Sequence, residues 1–293
     1  VTTVQDQTRT AAAPGSGGSA VLALRDAGLA YGTRRLWDGL DLDVAPGEFL
    51  AVLGPNGAGK TSLLRTVLGQ QRLTSGSMTF LGQPVRRGHR RIGYVPQQRL
   101  MESGTPLRAR DMIAQGVTGH RWGIRPERAA ERERIDRIID EVGATAFADA
   151  PVAELSGGEQ QRTRVGQAIA ADPALLLCDE PLISLDLRHQ RGVTELIDRQ
   201  RRQQGAAVLF VTHDVNPILD VVDRVLYIAG GRFRIGSPDE VLRADVLSDL
   251  YGTPVDVVRT MGRIVIVGGS ESAGEHHHCE ADPHTPGPDE GRL

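Results

Sequence analysis

The sequence predicts an α/β fold, and three observations predict it. Short apolar runs alternate with amphipathic segments along most of the chain, the pattern that layered helices and strands require. The run Glu48–Leu53 passes directly into a Gly-rich turn and then into a helix-like segment. A second run, Leu175–Cys178, ends in the acid pair Asp179-Glu180. An acid at the C-terminal end of a strand lies at the crevice where α/β sheets bind their ligands.

The elements follow in order. Val21–Leu24 and Leu40–Val44 read as strands, Glu48–Leu53 as a buried strand, and Lys60 to Leu68 as a helix. Met78–Leu81 and Ile92–Val95 are further short strands. From Pro106 to about Val142 the pattern turns helical, with Pro126 at a helix start and the charges of Glu127–Val142 on one face. Ser156 opens another helix through Ala171. Ala174–Cys178 is a fully apolar strand, Arg188–Gln203 a polar-faced helix and Ala206–Val211 a second buried strand. Beyond Asp214 come a short helix, a hairpin around Gly230-Gly231, helices near Pro238–Tyr251 and a strand pair over Val255–Val267. No internal repeat is visible.

Composition sets the bounds. With 293 residues the chain has room for one large domain or two small ones, and hydrophobic residues at 40% are enough for a core. A formal charge of -3 shows no basic excess, so nucleic acid is not an expected partner. The two cysteines, Cys178 and Cys279, supply no disulfide framework and fit a reducing setting. Cys178 lies in an apolar run, where a thiol acts as a small hydrophobe. No segment approaches the roughly 18–20 uninterrupted apolar residues of a membrane span. The best, Ile218–Ala229, is broken by Asp220, Asp223 and Arg224. Residues 1–19 lack an apolar h-region and are expected to be disordered rather than a signal peptide.

Of the 34 basic residues only one, Lys60, is a lysine. Arginine cannot replace lysine where a compact ammonium must fit among phosphate oxygens. The single lysine falls inside Gly54-Pro55-Asn56-Gly57-Ala58-Gly59-Lys60-Thr61-Ser62, which matches G-x-x-x-x-G-K-[ST] between a strand and a helix. There the glycines let backbone N–H groups converge on phosphate oxygens, and the following helix presents its positive N-terminus. Lys60 is expected to neutralise the β- and γ-phosphates of a nucleotide and Thr61 to hold Mg²⁺. Asp179 would hold the same ion, directly or through water, and Glu180 would polarise the attacking water. Alone, two acids after a strand could equally cap a helix; beside a phosphate loop they read as catalytic. The segment Leu155-Ser156-Gly157-Gly158-Glu159-Gln160-Gln161-Arg162 puts Ser156 at a helix N-cap and Glu159 at the capping-box position. Its two glycines cost helix stability and are not explained by capping; together the residues make a second anion site.

The Leu155–Arg162 segment resembles the signature sequence of ABC ATPases. That resemblance covers roughly Val21 to Leu242 and implies a P-loop NTPase core of ABC type with an antiparallel β subdomain and an α-helical subdomain. It further implies an ATP-binding domain over residues 20–252, with the helical subdomain at about 98–165, followed by a small β extension at 253–267 and a disordered tail at 268–293. Tyr31 resembles the aromatic that stacks on adenine. Gln97, with Gln98 as a rival, resembles the glutamine that contacts Mg²⁺ and water and links to the membrane partner. Ser184-Leu185-Asp186 resembles the loop that crosses the dimer interface, and His213 the histidine that senses the γ-phosphate. The phosphate loop of one subunit would face Ser156, Gly157, Gly158 and Glu159 of another. ATP and Mg²⁺ are the implied cofactors. A second ATPase subunit, an integral-membrane permease and an extracytoplasmic substrate-binding protein are the implied partners, at the cytoplasmic face of the membrane.

One motif set, and too little chain between Lys60 and Leu155 for a long coiled-coil insertion, favour a transporter motor over relatives acting on nucleic acid or ribosomes. The run Arg91–Gln97 resembles the zinc, manganese and iron importer branch; siderophore and cobalamin importers share parts of it. His276, His277, His278, Cys279 and His284 are ligand types for transition metals. They could hold such an ion, or belong to a solvated end with six acids against one arginine from Gly268 to Leu293.

Overall fold

A computed structural model describes residues 20–97, 107–119 and 128–268. Gln98, Pro106, Pro126, the proposed N-terminal segment and the histidines and cysteine of the tail lie outside the described residues.

Strand β1 (Leu22–Tyr31) turns back at Gly32-Thr33 into β2 (Arg34–Val44). Both are much longer than their apolar runs. The run of polar and small residues from Arg25 to Gly28 stops the alternation but not the pairing. The ladder absorbs it through register shifts between Leu24 and Ala27 and again between Ala27 and Leu29. After β3 (Phe49–Leu53) and α1 (Lys60–Val67), strands β4 (Ser75–Phe80) and β5 (Gln83–Pro84) complete an antiparallel sheet of order β2-β1-β4-β5.

The second sheet carries the site. Strand β6 (Ile92–Val95) is followed by α2 (Ala109–Thr118), α3 (Ala129–Glu141) and α4 (Gly157–Ile169). Then come β7 (Leu175–Asp179), α5 (Leu187–Gln204), β8 (Ala207–Val211), β9 (Arg224–Ala229) and β10 (Arg232–Gly236). The sheet order is β10-β9-β3-β8-β7-β6, with every pair parallel except the β9–β10 hairpin. Such strands are covered on both faces, which is why they read as unbroken apolar runs. Alternate residues feed two separate cores. Phe49, Ala51, Leu176, Cys178, Val208 and Phe210 face the helices α2–α5. Leu50, Val52, Leu175, Leu177, Leu209 and Val211 face α1 and the antiparallel sheet. Cys178 is fully buried, and desolvation pushes its thiol pKa far up, so it behaves as an apolar group.

The last described elements are α6 (Pro238–Val241), α7 (Ala244–Tyr251) and the hairpin β11 (Val255–Thr260) with β12 (Arg263–Gly268). Val255 and Ile264 of that hairpin are buried in the helix-side core. The helix expected after Asp214 is a single 3-10 turn, Asn216–Ile218. Asp214 Oδ1 accepts from the Asn216 backbone and side chain, a local bond that competes with helix propagation. No helix among the described residues is long and apolar enough to cross a membrane.

Candidate functional site

Parallel register brings the candidate residues to one edge. Val211 is paired with Val52 of β3 and with Asp179 of β7, and Cys178 with Val95 of β6. Gly54, Thr212, Glu180 and Pro96 therefore leave the sheet at one level, at the carboxyl ends of four neighbouring strands.

The phosphate loop is shaped before any ligand arrives. Gly54 takes φ 140°, and a Cβ there would run into the carbonyl of Ile228 on β9, so no other residue fits. Gly59 caps α1 without a side-chain hydrogen bond, and the first turn holds no acid. The first amides of α1 are thus left for an anion. Lys60 is buried, and its Nζ donates to the carbonyls of Gly54 (2.7 Å) and Pro55 (3.0 Å), folding the side chain back over the loop. Desolvation lowers its pKa, while Glu180 and Asp179 pull the other way. A phosphate-sized anion fits this cradle of uncapped amides and a buried ammonium.

Asp179 ends β7. Its Oδ1 accepts from Thr61 Oγ1 (3.2 Å) and its Oδ2 from the Tyr94 hydroxyl (3.5 Å). Burial raises the carboxyl pKa, against the Thr61 bond. The hydroxyl and carboxylate are hard oxygen donors side by side, the donor set that suits Mg²⁺. Glu180 sits in the left-handed region at φ 47°, its N–H bonded to Val211 O (2.9 Å). A non-glycine residue held there is a strained position of the kind that clusters at active sites. His213 Nδ1 lies 3.6 Å from Glu180 Oε2. The turn carrying it is pinned by Thr212 Oγ1, which donates to Asp214 O and accepts from Asp214 N. Gln97 follows β6 with an exposed side chain. Tyr31 ends β1 half-exposed, its hydroxyl donating to Gln71 Oε1 (2.6 Å) and lying 3.3 Å from Ser62 Oγ.

The signature residues form their own local structure. Ser156 Oγ donates to Glu159 Oε2 (2.7 Å) and accepts from Glu159 N (3.4 Å), and Ser156 N donates back to Glu159 Oε2 (2.9 Å). Neither side chain hydrogen-bonds the phosphate loop. The structure thus gathers Tyr31, residues 54–62, Asp179, Glu180 and His213 within one chain, while Ser156 and Glu159 hydrogen-bond each other.

Two contacts were not foreseen from sequence. Tyr94 reaches Asp179 from the neighbouring strand, and Arg34 Nη2 donates to Gly57 O (3.0 Å). Strand pairing alone could have suggested Tyr94, since β6 and β7 run side by side with Tyr94 paired to Leu177.

The sequence pattern of the ABC transporter family matches residues 37–183. The chain belongs to this family. It is an ABC-type ATP hydrolase, a fold and activity class shared with the motor subunits of transporters. The zinc transport system ATP-binding protein TroB of Treponema pallidum is 35% identical over 65% of this chain and 71% of its own. A sulfate/thiosulfate import ATP-binding protein, CysA of Bacillus cereus, is 32% identical over 85% of this chain and 71% of its own. Among solved structures, a metal-chelate type ABC transporter in an inward-facing conformation superposes with TM-score 0.71 at 26% identity. It covers 84% of this chain and 96% of that one.

Proposed function

We propose that this ABC ATPase is the nucleotide-hydrolysing motor of an importer for a divalent transition metal, bound to a permease at the cytoplasmic face of the membrane. The observation that supports the motor most strongly is the meeting of Lys60, Thr61, Asp179 and Glu180 beyond the ends of β3 and β7, the two strands that flank β8. Lys60 releases the Gly54 and Pro55 carbonyls and turns its ammonium to the β- and γ-phosphates, while the first amides of α1 hold the phosphate oxygens. Thr61 and Asp179, with Gln97, would hold Mg²⁺, which would supply positive charge against the phosphates. Glu180 accepts a proton from the water that attacks the γ-phosphorus, as the bond to the bridging oxygen breaks and ADP leaves. His213 orients Glu180 and the γ-phosphate side of the site. Tyr31 offers its exposed ring to adenine.

Ser156, Gly157, Gly158 and Glu159 serve a nucleotide held by a second subunit. Their hydrogen bonds to each other, with none to the phosphate loop among the described residues, support that reading. ATP then favours the closed pair because only the closed pair lets both halves grip it. The helical region around α2 and α3 carries the motion to the permease, and a substrate-binding protein delivers the cargo.

The zinc-transport relative, the metal-chelate type structure and the Arg91–Gln97 run support the metal. The sulfate relative supports a second reading, import of an oxyanion. Cells carrying Lys60→Ala in place of the parent chain test both. Under limitation their zinc, manganese or iron content is expected to fall with sulfate uptake unchanged. Unchanged metals and lost sulfate uptake would establish the second reading instead.

A further inference from the structure

The signature segment, which the proposed function turns toward a second subunit, and the loop that by resemblance crosses the dimer interface meet inside one chain on the side chain of His189. The crossing loop Ser184-Leu185-Asp186 leads into α5, with Asp186 as N-cap. Asp186 holds His189 twice: Oδ1 accepts from its backbone N–H (2.9 Å), and Oδ2 lies 2.8 Å from Nδ1 of its ring. The ring packs against the signature helix. A Cβ at Gly158 would come within 2.8 Å of His189 Cγ and 3.0 Å of Nε2, so the α4 backbone is in contact with the imidazole there. This gives the second signature glycine a packing reason that capping did not supply.

The loop itself needs holding. Ser184 is a non-glycine residue at φ 63°, and Gln190, the next residue of α5, donates to the carbonyls of Leu182 (3.4 Å) and Leu185 (3.1 Å). The first turn of α5 thus grips the loop from one side, and His189 adds a contact with α4. Glu159 of α4 and Asp186, the N-cap of α5, are charged groups that interact with His189.

We propose that His189 is a positioning residue that clamps the crossing loop to the signature helix, so that both surfaces offered to a second subunit move as one body. This rests on the two-subunit reading above. The test uses the full chain with Glu180→Gln, which is expected to hold ATP with little turnover, and follows ATP- and Mg²⁺-driven dimerisation by analytical ultracentrifugation. Adding His189→Ala is expected to raise the concentration for half-dimerisation about tenfold, equivalent to about 1.4 kcal/mol. Binding of a fluorescent ATP analogue to the single chain should stay unchanged, which shows the variant folded. His189→Gln, whose amide can still reach Asp186, should restore dimerisation to within about threefold of the parent.

Three results overturn the clamp. Dimerisation of the alanine variant at parental concentrations is one, and a glutamine variant that behaves like alanine is another. The third is equal loss of nucleotide binding and dimerisation, which would make His189 merely structural. If the Glu180→Gln parent stays monomeric at saturating ATP, the two-subunit reading falls and takes the clamp with it.

Discussion

The phosphate loop and the signature segment are both glycine-rich helix starts, yet they are finished to different degrees. At the first, the α1 N-terminus has no side-chain cap, and a buried lysine is parked on the loop's own carbonyls. At the second, Ser156 and Glu159 close a capping box on each other, which satisfies the N–H groups of Ser156 and Glu159. An uncapped N-terminus asks for an anion, whereas a closed capping box must give up a bond to receive one. On the proposed function, the first half would bind nucleotide within one chain, and the second would engage only when something outside the chain repays the exchange.

The largest expected effect tests the first half's chemistry. Glu180→Gln should lower the ATP turnover number by about 10²–10⁴-fold, the range of a lost general base. Nucleotide affinity should hold, because the cradle of α1 amides and Lys60 is untouched. Steady-state phosphate release with parallel equilibrium binding reads both. A variant turning over at the parental rate removes Glu180 from the proton transfer.

Ser156→Ala tests the second half and should act differently. It deletes a hydroxyl that a γ-phosphate would bind, a charged hydrogen bond worth about 1.5–3 kcal/mol, so turnover should fall by about 10–100-fold. The single chain's affinity for ATP should not change, because Ser156 makes no bond to the phosphate loop. Weaker binding to the monomer would break the comparison.

Mixing sharpens it further. A chain with Lys60→Ala and a chain with Ser156→Ala each assemble only damaged sites with themselves. Paired together, they form one site carrying both lesions and one carrying none. Mixtures measured by phosphate release should therefore exceed both parents, approaching a fraction of wild-type turnover set by how many hetero-pairs form. No recovery at any ratio would mean that the two halves belong to one chain after all.

The contrast also explains what could be read from sequence. Gly54–Thr61 is legible because its whole logic, strand, glycines, lysine and helix start, is local; the Lys60 bonds reach only to Gly54 and Pro55. The Ser156–Glu159 box is legible for the same reason. What escaped depends on partners far along the chain. Tyr94 meets Asp179 through the pairing of β6 with β7 across 85 residues of chain, and His189 meets Gly158 through the packing of α5 on α4. The lengths of β1 and β2 were hidden for a related reason. Their bulges break the alternation that marks a strand, and only the partner strand keeps the chain extended.

Tyr31 gives the smallest expected effect, and it isolates the nucleotide's base from its phosphates. The hydroxyl holds the ring in place by donating to Gln71 Oε1, while about half of the residue remains exposed for contact. Tyr31→Ala should weaken ATP binding to the single chain about tenfold, within the 1–3 kcal/mol typical of a lost aromatic–base stack. Tyr31→Phe keeps the ring and loses only an exposed hydrogen bond, so affinity should change by less than about threefold. Titrating GTP and inorganic triphosphate beside ATP separates the contributions. Triphosphate binding should be indifferent to both variants, because it rests on the cradle alone. If phenylalanine proved as harmful as alanine, the Tyr31 hydroxyl would be ordering α1 through Gln71 and Ser62, and the ring would carry no base.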